Sequence, residues 1–350
     1  MQKTRVLIVD DSLLVRDLIK AILSTDDELA VVGEAGNGRE AVEKNMELKP
    51  DIITMDIEMP VMNGLDAIEK IMAIRAVPIL VVTTYGDAKV AFAAISKGAL
   101  DLVVKPDVNI EAAGEFIKKI KMLSKVRVFT HIAGKFGTAQ KPPESPPSGI
   151  GSEVLAGRVV AIASSTGGPD ALSVILSMLP EKYPCPLLIA QHISEGFAKG
   201  MVEWLGPLTK MKVKVAEEGE MLVAGTAYVS PSERHMVVRG SKRISFIDRR
   251  PADIYRPSCD ILLSSVADAF GNKSVGIILT GMGNDGVMGI KRIKEAGGLT
   301  IAQDEKTSVI FGMPKVAIES GFVDKVLSIE NICRELAKIT GVQRNAASAS

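Results

Sequence analysis

The sequence predicts two α/β domains in series, and three observations lead there. At 350 residues the chain suits two cores better than one. Short, continuous apolar runs alternate with stretches of helical spacing along most of its length. The run HIAGKFGTAQKPPESPPSGIG at 131–151 breaks that alternation, with four prolines inside 142–147. Such a segment buries little and favours extended conformers, as a linker does. The expected boundaries are a first domain at 1–123, a Pro/Gly-rich linker at 124–152, a second domain at 153–344 and a frayed tail at 345–350.

In the first domain, strands are expected at 5–9, 30–33, 52–55, 79–82 and 102–104. Helices are expected between and after them at 13–23, 39–48, 65–74, 88–95 and 110–123. Continuous apolar strands separated by helices indicate a parallel sheet covered on both faces. Five such units fit a doubly wound sheet of order 2-1-3-4-5. In the second domain, strands are expected at 159–163, 187–190, 213–215, 227–230, 236–239, 244–247, 276–279 and 299–302. Its helices are expected at 169–178, 196–205, 259–270, 286–296 and 328–339. The stretches at 227–247 leave no room for helices between them, so a β-hairpin excursion from a mostly parallel sheet is expected there.

Composition narrows the function. Hydrophobic residues make up 47% and charged residues 24%, which excludes disorder for most of the chain. Lys+Arg and Asp+Glu balance at 42 each, so no general nucleic-acid-binding surface is expected. The three cysteines, Cys185, Cys259 and Cys333, lie far apart, and three scattered histidines offer no zinc spacing. The odd cysteine count suits a reducing compartment. The apolar run before Asp10 is too short for a secretory signal, and no stretch approaches the roughly 18 apolar residues of a membrane span. A soluble, cytoplasmic, monomeric protein is expected.

Chemistry-bearing residues sit at strand ends. In the 2-1-3-4-5 order, strands 1 and 3 are neighbours whose carboxyl ends flank the ligand-binding switch point. Strand 1 ends in Asp10-Asp11 and strand 3 in Asp56. Three carboxylates brought together repel unless a cation joins them, and an all-oxygen cluster suits Mg²⁺. Strand 4 ends in Thr83 and strand 5 in Lys105. A carboxylate beside Mg²⁺, with a lysine and a threonine to bind oxygens, can accept a phosphoryl group. The alternative for any single aspartate is a helix cap.

These residues, with DIEMPVMNG, closely resemble the receiver domain of two-component response regulators over residues 3–123. The resemblance implies a flavodoxin-like fold, with Asp56 phosphorylated by a histidine kinase. It implies Mg²⁺ held by Asp10, Asp11, Asp56 and the Glu58 backbone carbonyl, with Thr83 and Lys105 sensing the phosphate. The aromatic switch usual on strand 5 of that family is absent here, where Leu102 and Val103 stand.

In the second domain, Ser164-Ser165-Thr166-Gly167-Gly168-Pro169 follows a strand and opens a helix, Gln191-His192 ends the next strand, and GMGNDG at 281–286 follows a third. A serine, a histidine and an aspartate at strand ends are the parts of nucleophilic acyl transfer. The order Ser…His…Asp and the lack of GxSxG separate this set from α/β-hydrolases. Each residue also has a structural alternative: a cap, a hydrogen-bonded histidine, a turn. His131 in the linker and His235 near the hairpin are poorer candidate bases.

VVAIASSTGGP, IAQHISEGF, RPSCD and ILTGMGNDG, in that order behind a receiver, closely resemble the chemotaxis receptor methylesterases of the CheB family. The resemblance implies Ser165 as nucleophile, His192 as general base and Asp285 as its orienter. The Gly-Ala usual before the nucleophile is Ala163-Ser164 here, and the assignment rests on Ser165 directly preceding Thr166-Gly167-Gly168. Arg256 to Ser258 and Asp260 match a further family motif; it gives them no firm role, and capping of the following helix is an equal reading. The implied activity is hydrolysis of glutamate γ-methyl esters and deamidation of selected glutamines on chemoreceptors, with no cofactor for the esterase reaction. The implied partners are a chemotaxis histidine kinase and methyl-accepting chemoreceptors in membrane arrays, with the unphosphorylated receiver inhibiting the esterase. The competing readings are a nucleic-acid-binding output, an interaction module with a degenerate site, and a hydrolase of small soluble esters.

Overall fold

A computed structural model of the chain describes residues 3–84, 88–106, 110–128, 157–240, 242–250 and 253–339. These fall into two compact units, one on either side of residues 129–156. The prolines of the expected linker, His131 and the tail at 345–350 lie outside the described residues.

The first unit holds strands β1 (Thr4–Val9), β2 (Leu29–Ala35), β3 (Ile52–Met55), β4 (Ile79–Thr83) and β5 (Asp101–Val104). Helices α1 (Leu13–Leu23), α2 (Gly38–Leu48), α3 (Gly64–Ile74), α4 (Ala88–Ser96) and α5 (Ile110–Leu123) follow them in turn. The order is β2-β1-β3-β4-β5, parallel throughout, as the sequence predicts. The reason is burial on both faces: all four residues of β3 and all five of β4 are buried. Each buried Ile or Leu removes enough apolar area from water to contribute about 1.5–3 kcal/mol. Ser12, Asn37 and Asn63 cap α1, α2 and α3, each side chain accepting from a backbone N–H of the first turn.

The second unit contains β6 (Val159–Ser164), β7 (Leu187–Gln191), β8 (Lys212–Val215), β9 (Thr226–Val229), β10 (Arg234–Arg239), β11 (Arg243–Asp248), β12 (Ser274–Ile278), β13 (Leu299–Gln303) and β14 (Lys325–Leu327). Its helices are α6 (Gly168–Met178), α7 (Phe197–Leu205), α8 (Cys259–Phe270), α9 (Val287–Glu295), α10 (Met313–Glu319) and α11 (Ile329–Ile339). Seven strands form one parallel sheet in the order β14-β13-β12-β6-β7-β9-β8. The expected excursion is narrower than 227–247: β9 joins the main sheet, and only β10 and β11 pair off as an antiparallel hairpin. That hairpin is anchored, not splayed. Met236, Val238 and Ile244 enter the core with α8, and Val238 N–H donates to Ser265 Oγ at 3.0 Å.

The chain runs outward from β6 through β7 to one edge, then returns to β12 on the other side of β6. The crevice at the carboxyl ends of β6 and β12 is therefore the switch point, where open α/β sheets place their sites.

Candidate functional site

In the first unit, the ends of four strands converge. Asp10 is 1% exposed and Asp56 5%, whereas Asp11 is exposed. One carboxylate oxygen from each of the three lies within 4.8 Å of the others. Lys105 Nζ donates to Asp56 Oδ2 at 2.8 Å. It also stands 2.8 Å from Asp10 Oδ2, as an ion pair and not an aligned hydrogen bond. Asp10 Oδ1 accepts from Ser12 N–H at 3.0 Å, and Asp56 Oδ1 from Ile57 N–H at 2.7 Å.

Burial pushes the Asp56 carboxyl above its ordinary range; Lys105 opposes the rise and the Asp10 charge adds to it. Thr83 is fully buried, yet among the described residues its Oγ1 has no hydrogen-bond partner. An orphaned hydroxyl at the end of β4, next to the strand that Asp56 follows, fits a site for oxygen-rich groups, and the all-oxygen donor set fits a hard divalent cation. A cleft of about 430 Å³ is lined by Asp11, Glu58, Met59 and Asn63 among others, so Glu58 borders the space that Asp11 faces. Gly64 lets the chain close tightly over this site: a Cβ there would stand 2.0 Å from the Asp56 carbonyl oxygen.

In the second unit, the pairing of Ser164 with Gln191 sends Ser165 and His192 off adjacent strands side by side. His192 N–H donates to Ser164 O at 2.9 Å, and Ser165 N–H to Thr280 O at 3.0 Å. His192 Nε2 lies 2.8 Å from Asp285 Oδ2. Asp285 is 2% exposed and sits over the start of α8. It accepts from Cys259 N–H at 2.5 Å, Asp260 N–H at 2.9 Å and Ser258 Oγ at 3.1 Å. Burial alone would raise this carboxyl, but His192 and the N–H groups of Asp260 and Cys259 outweigh burial and hold it below the usual range. Among the described residues no hydrogen bond joins Ser165 to His192. Such contacts are often long without substrate and tighten in the complex.

The neighbouring serine takes a different place. Ser164 is fully buried and its hydroxyl donates to Gln191 Oε1 at 2.7 Å, whereas Ser165 is half-buried. Gln191 Nε2 then donates to the carbonyls of Ser165 and His192, both at 2.8 Å, tying the two strand ends together. Gly281 is needed for the same close approach: a Cβ there would stand 2.6 Å from Ser165 Cβ.

Sequence reasoning missed two contributors, Tyr255 and Cys259, and gave Ser258 no role beyond an expected helix cap. Tyr255 stacks on the His192 ring, with centroids 5.0 Å apart and planes at 12°, and its hydroxyl donates to Asn284 Oδ1 at 2.9 Å. Ser258 both caps α8 and donates to Asp285, so the RPSCD segment combines helix capping with contact to Asp285. Cys259 Sγ lies 3.5 Å from His192 Nε2. Burial, reinforced by the Asp285 charge, raises its thiol well above the ordinary value, which keeps it protonated and unsuited to nucleophilic attack. No periodicity announces these contacts, because residues 253–258 and the first residue of α8 deliver them. His235 belongs to the same neighbourhood, not to a base position: it is 1% exposed and bonded to Asp253 and Ser258.

A phosphoacceptor-type acidic cluster on one unit and a serine–histidine–aspartate set on the other define a response regulator with a hydrolase as its output. Comparison with known proteins agrees. Residues 6–113 match the response regulator receiver domain, and residues 160–336 match the CheB methylesterase family. The chain is 47% identical over 349 residues to protein-glutamate methylesterase/protein-glutamine glutaminase 3 of Paramagnetospirillum magneticum, covering 99% of this chain and 98% of that one. It is 43% identical over 343 residues to the protein of the same activity name from Pyrococcus abyssi, covering 95% and 92% of the two chains. The crystal structure of the Thermotoga maritima CheB methylesterase catalytic domain superposes with a TM-score of 0.51 at 36% identity, covering 53% of this chain and 99% of that one. The chain belongs to the CheB methylesterase family and is an ester hydrolase of the response regulator class.

Proposed function

We propose that the chain hydrolyses glutamate γ-methyl esters and deamidates selected glutamines on chemoreceptors, with Ser165, His192 and Asp285 as its catalytic triad. The observation that carries this reading is the His192–Asp285 hydrogen bond at 2.8 Å, at a strand end adjacent to the one that bears Ser165. With Nε2 committed to Asp285, Nδ1 is the nitrogen left to take the Ser165 proton. Ser165 Oγ attacks the γ-carbonyl carbon, and the proton moves to His192. At the start of α6 the Gly168 N–H is taken by Ser165 O and Pro169 has none, so the oxyanion meets the positive end of the helix dipole. Collapse breaks the C–O bond, and the leaving methoxide takes the proton from His192 and departs as methanol. Water then attacks the acyl-serine, His192 accepts its proton, and the carboxylate and free serine are restored. On a glutamine, the same steps release ammonia.

The receiver, residues 1–123 ahead of a linker at 124–152, supplies control of the esterase at 153–344. Asp56 Oδ takes a phosphoryl group from a chemotaxis histidine kinase. Asp10, Asp11, Asp56 and the Glu58 carbonyl would hold Mg²⁺, which when bound would supply charge neutralisation for the phosphoryl oxygens. Lys105 and Thr83 bind the phosphoryl oxygens. Phosphorylation lifts an inhibition that the unphosphorylated receiver exerts, shifting a population and not assembling the triad. The catalytic site needs no cofactor, and the protein works as a monomer in the cytoplasm beside receptor arrays. Among the described residues no helix is long and apolar enough to cross a membrane.

The test is methanol release from methyl-labelled receptor membranes, with and without a small phosphodonor and Mg²⁺. Release should rise with phosphodonor, vanish in Ser165→Ala, and lose only its stimulation in Asp56→Asn. A soluble methyl ester run alongside separates a protein substrate from a small one. Undiminished release from Ser165→Ala would overturn the triad. Equal release with and without phosphodonor would overturn the control.

A further inference from the structure

Behind the His192–Asp285 pair lies a second histidine–aspartate pair. His235, on β10, is 1% exposed. Its Nδ1 accepts the Ser258 backbone N–H at 2.9 Å. A backbone N–H can only donate, so Nδ1 carries no proton and the ring proton sits on Nε2. Nε2 faces Asp253 Oδ2 at 3.0 Å. Asp253 is also held by Arg250 N–H at 2.7 Å, and that bond, with the His235 contact, keeps its carboxyl below the usual range. The ring is thus fixed as one neutral tautomer bonded at both nitrogens.

What this ring grips is the short segment from Asp253 to Ser258. Its two nitrogens hold the two ends of that segment. The middle of the segment carries Tyr255, which stacks on His192. Its far end carries the Ser258 hydroxyl, which donates to Asp285 Oδ1 at 3.1 Å. Between them, the Arg256 carbonyl accepts from Ile193 N–H, the residue after His192, at 3.2 Å. One buried imidazole therefore braces the segment that touches both members of the pair.

We propose that His235 is a positioning residue for the esterase: by clamping Asp253 and Ser258 it sets the orientation of His192 and Asp285. This rests on the triad reading above. The clamp touches neither substrate nor reacting atoms, so its effect belongs in kcat and in the titration of the base, not in KM. Small misplacements of a base and its orienter cost rate steeply, so His235→Ala should lose ~10- to 100-fold in kcat. KM for methylated receptor should stay within about twofold, because the buried His235 ring presents no surface to a receptor. The acid limb of the kcat/KM profile, which reports the free base, should move in the same variant. His235→Asn, whose amide oxygen can accept the Ser258 N–H, should recover part of kcat.

The experiment is methanol release by phosphodonor-activated full-length protein across pH, for wild type, Ser165→Ala, His235→Ala, His235→Asn and Asp253→Asn, each checked by circular dichroism. If His235→Ala fails to fold, Asp253→Asn takes its place: it keeps the histidine and weakens one grip, and should lower kcat severalfold with KM unchanged. A folded His235→Ala or Asp253→Asn with wild-type kcat and pH profile overturns the inference. So does a loss in His235→Ala that lies in KM, or one that His235→Asn does not relieve. Full activity in Ser165→Ala would instead overturn the triad itself, so the two failures are distinguishable.

Discussion

Asp56 and Asp285 occupy the same kind of place and behave in opposite ways. Each lies past the carboxyl end of a strand in a parallel sheet, and each is at most 5% exposed. Burial pushes both carboxyls up. At Asp56 it wins: one lysine is shared with Asp10, whose own charge adds to the rise. At Asp285 it loses: an imidazole, two helix-terminal N–H groups and a serine hydroxyl converge on the two oxygens. Depth alone does not decide which way a carboxyl shifts; the count and direction of its donors do. The difference matches the two proposed tasks. An acceptor of cation and phosphoryl is left under-compensated, whereas an orienter is saturated.

The largest test of this contrast is Asp285→Asn. The amide keeps the shape but cannot favour the same tautomer or stabilise the imidazolium, so methanol release should fall by about 10,000-fold. A loss below about tenfold would break the comparison. Next comes removal of Mg²⁺: excess EDTA should abolish the phosphodonor-stimulated rate and leave the basal rate within about twofold, since the proposed metal set is confined to Asp10, Asp11, Asp56 and Glu58.

Stability against pH should then separate the two aspartates by sign. Asp285, depressed when folded, contributes stability that is present above the unfolded carboxyl pKa and is lost as pH falls through the folded value. Asp56, raised when folded, costs stability above its folded pKa, and that cost fades as pH falls toward the unfolded value. Asp285→Asn should therefore lower Tm at pH 7, with a penalty that shrinks in acid. Asp56→Asn should raise it at pH 7, with a gain that also shrinks. Melting curves of both variants from pH 7 to pH 4 check this, and the same sign for both at pH 7 would refute it. The smallest effect concerns Thr83→Ala. Its hydroxyl has no partner to lose, so Tm should move little, by about 1 kcal/mol or less in stability, while phosphodonor stimulation falls.

The sequence made the first site legible because each of its groups ends an element of clear periodicity: Asp10-Asp11 after β1, Asp56 after β3, Thr83 at the end of β4, Lys105 after β5. Ser165, His192 and Asp285 follow strands in the same way. What the sequence hid lies just before α8, where Tyr255, and Ser258 beyond its expected capping role, act through contacts that local spacing does not encode. Two elements also escaped. β14 is three residues long with two of them exposed, and α10 opens on Met313-Pro314 with a single short face to bury, so neither presents a pattern of useful length. The place of β9 between β7 and β8 was hidden as well, although the alternating lysines of the KVKV strand are a common mark of a sheet edge.

The order of the seven-stranded sheet also sets which parts of the esterase unit can open without cost to its chemistry. Ser165, His192 and Asp285 leave β6, β7 and β12, which stand third to fifth from the β14 edge. Two strands shield them on either side. Local opening starts where few apolar contacts oppose it, and β14, with two of its three residues exposed, is such a place. Amide exchange should sweep inward from β14 and β8, with hydrolysis surviving until the central three strands exchange. That result would show a protein that breathes at its margins and still turns over.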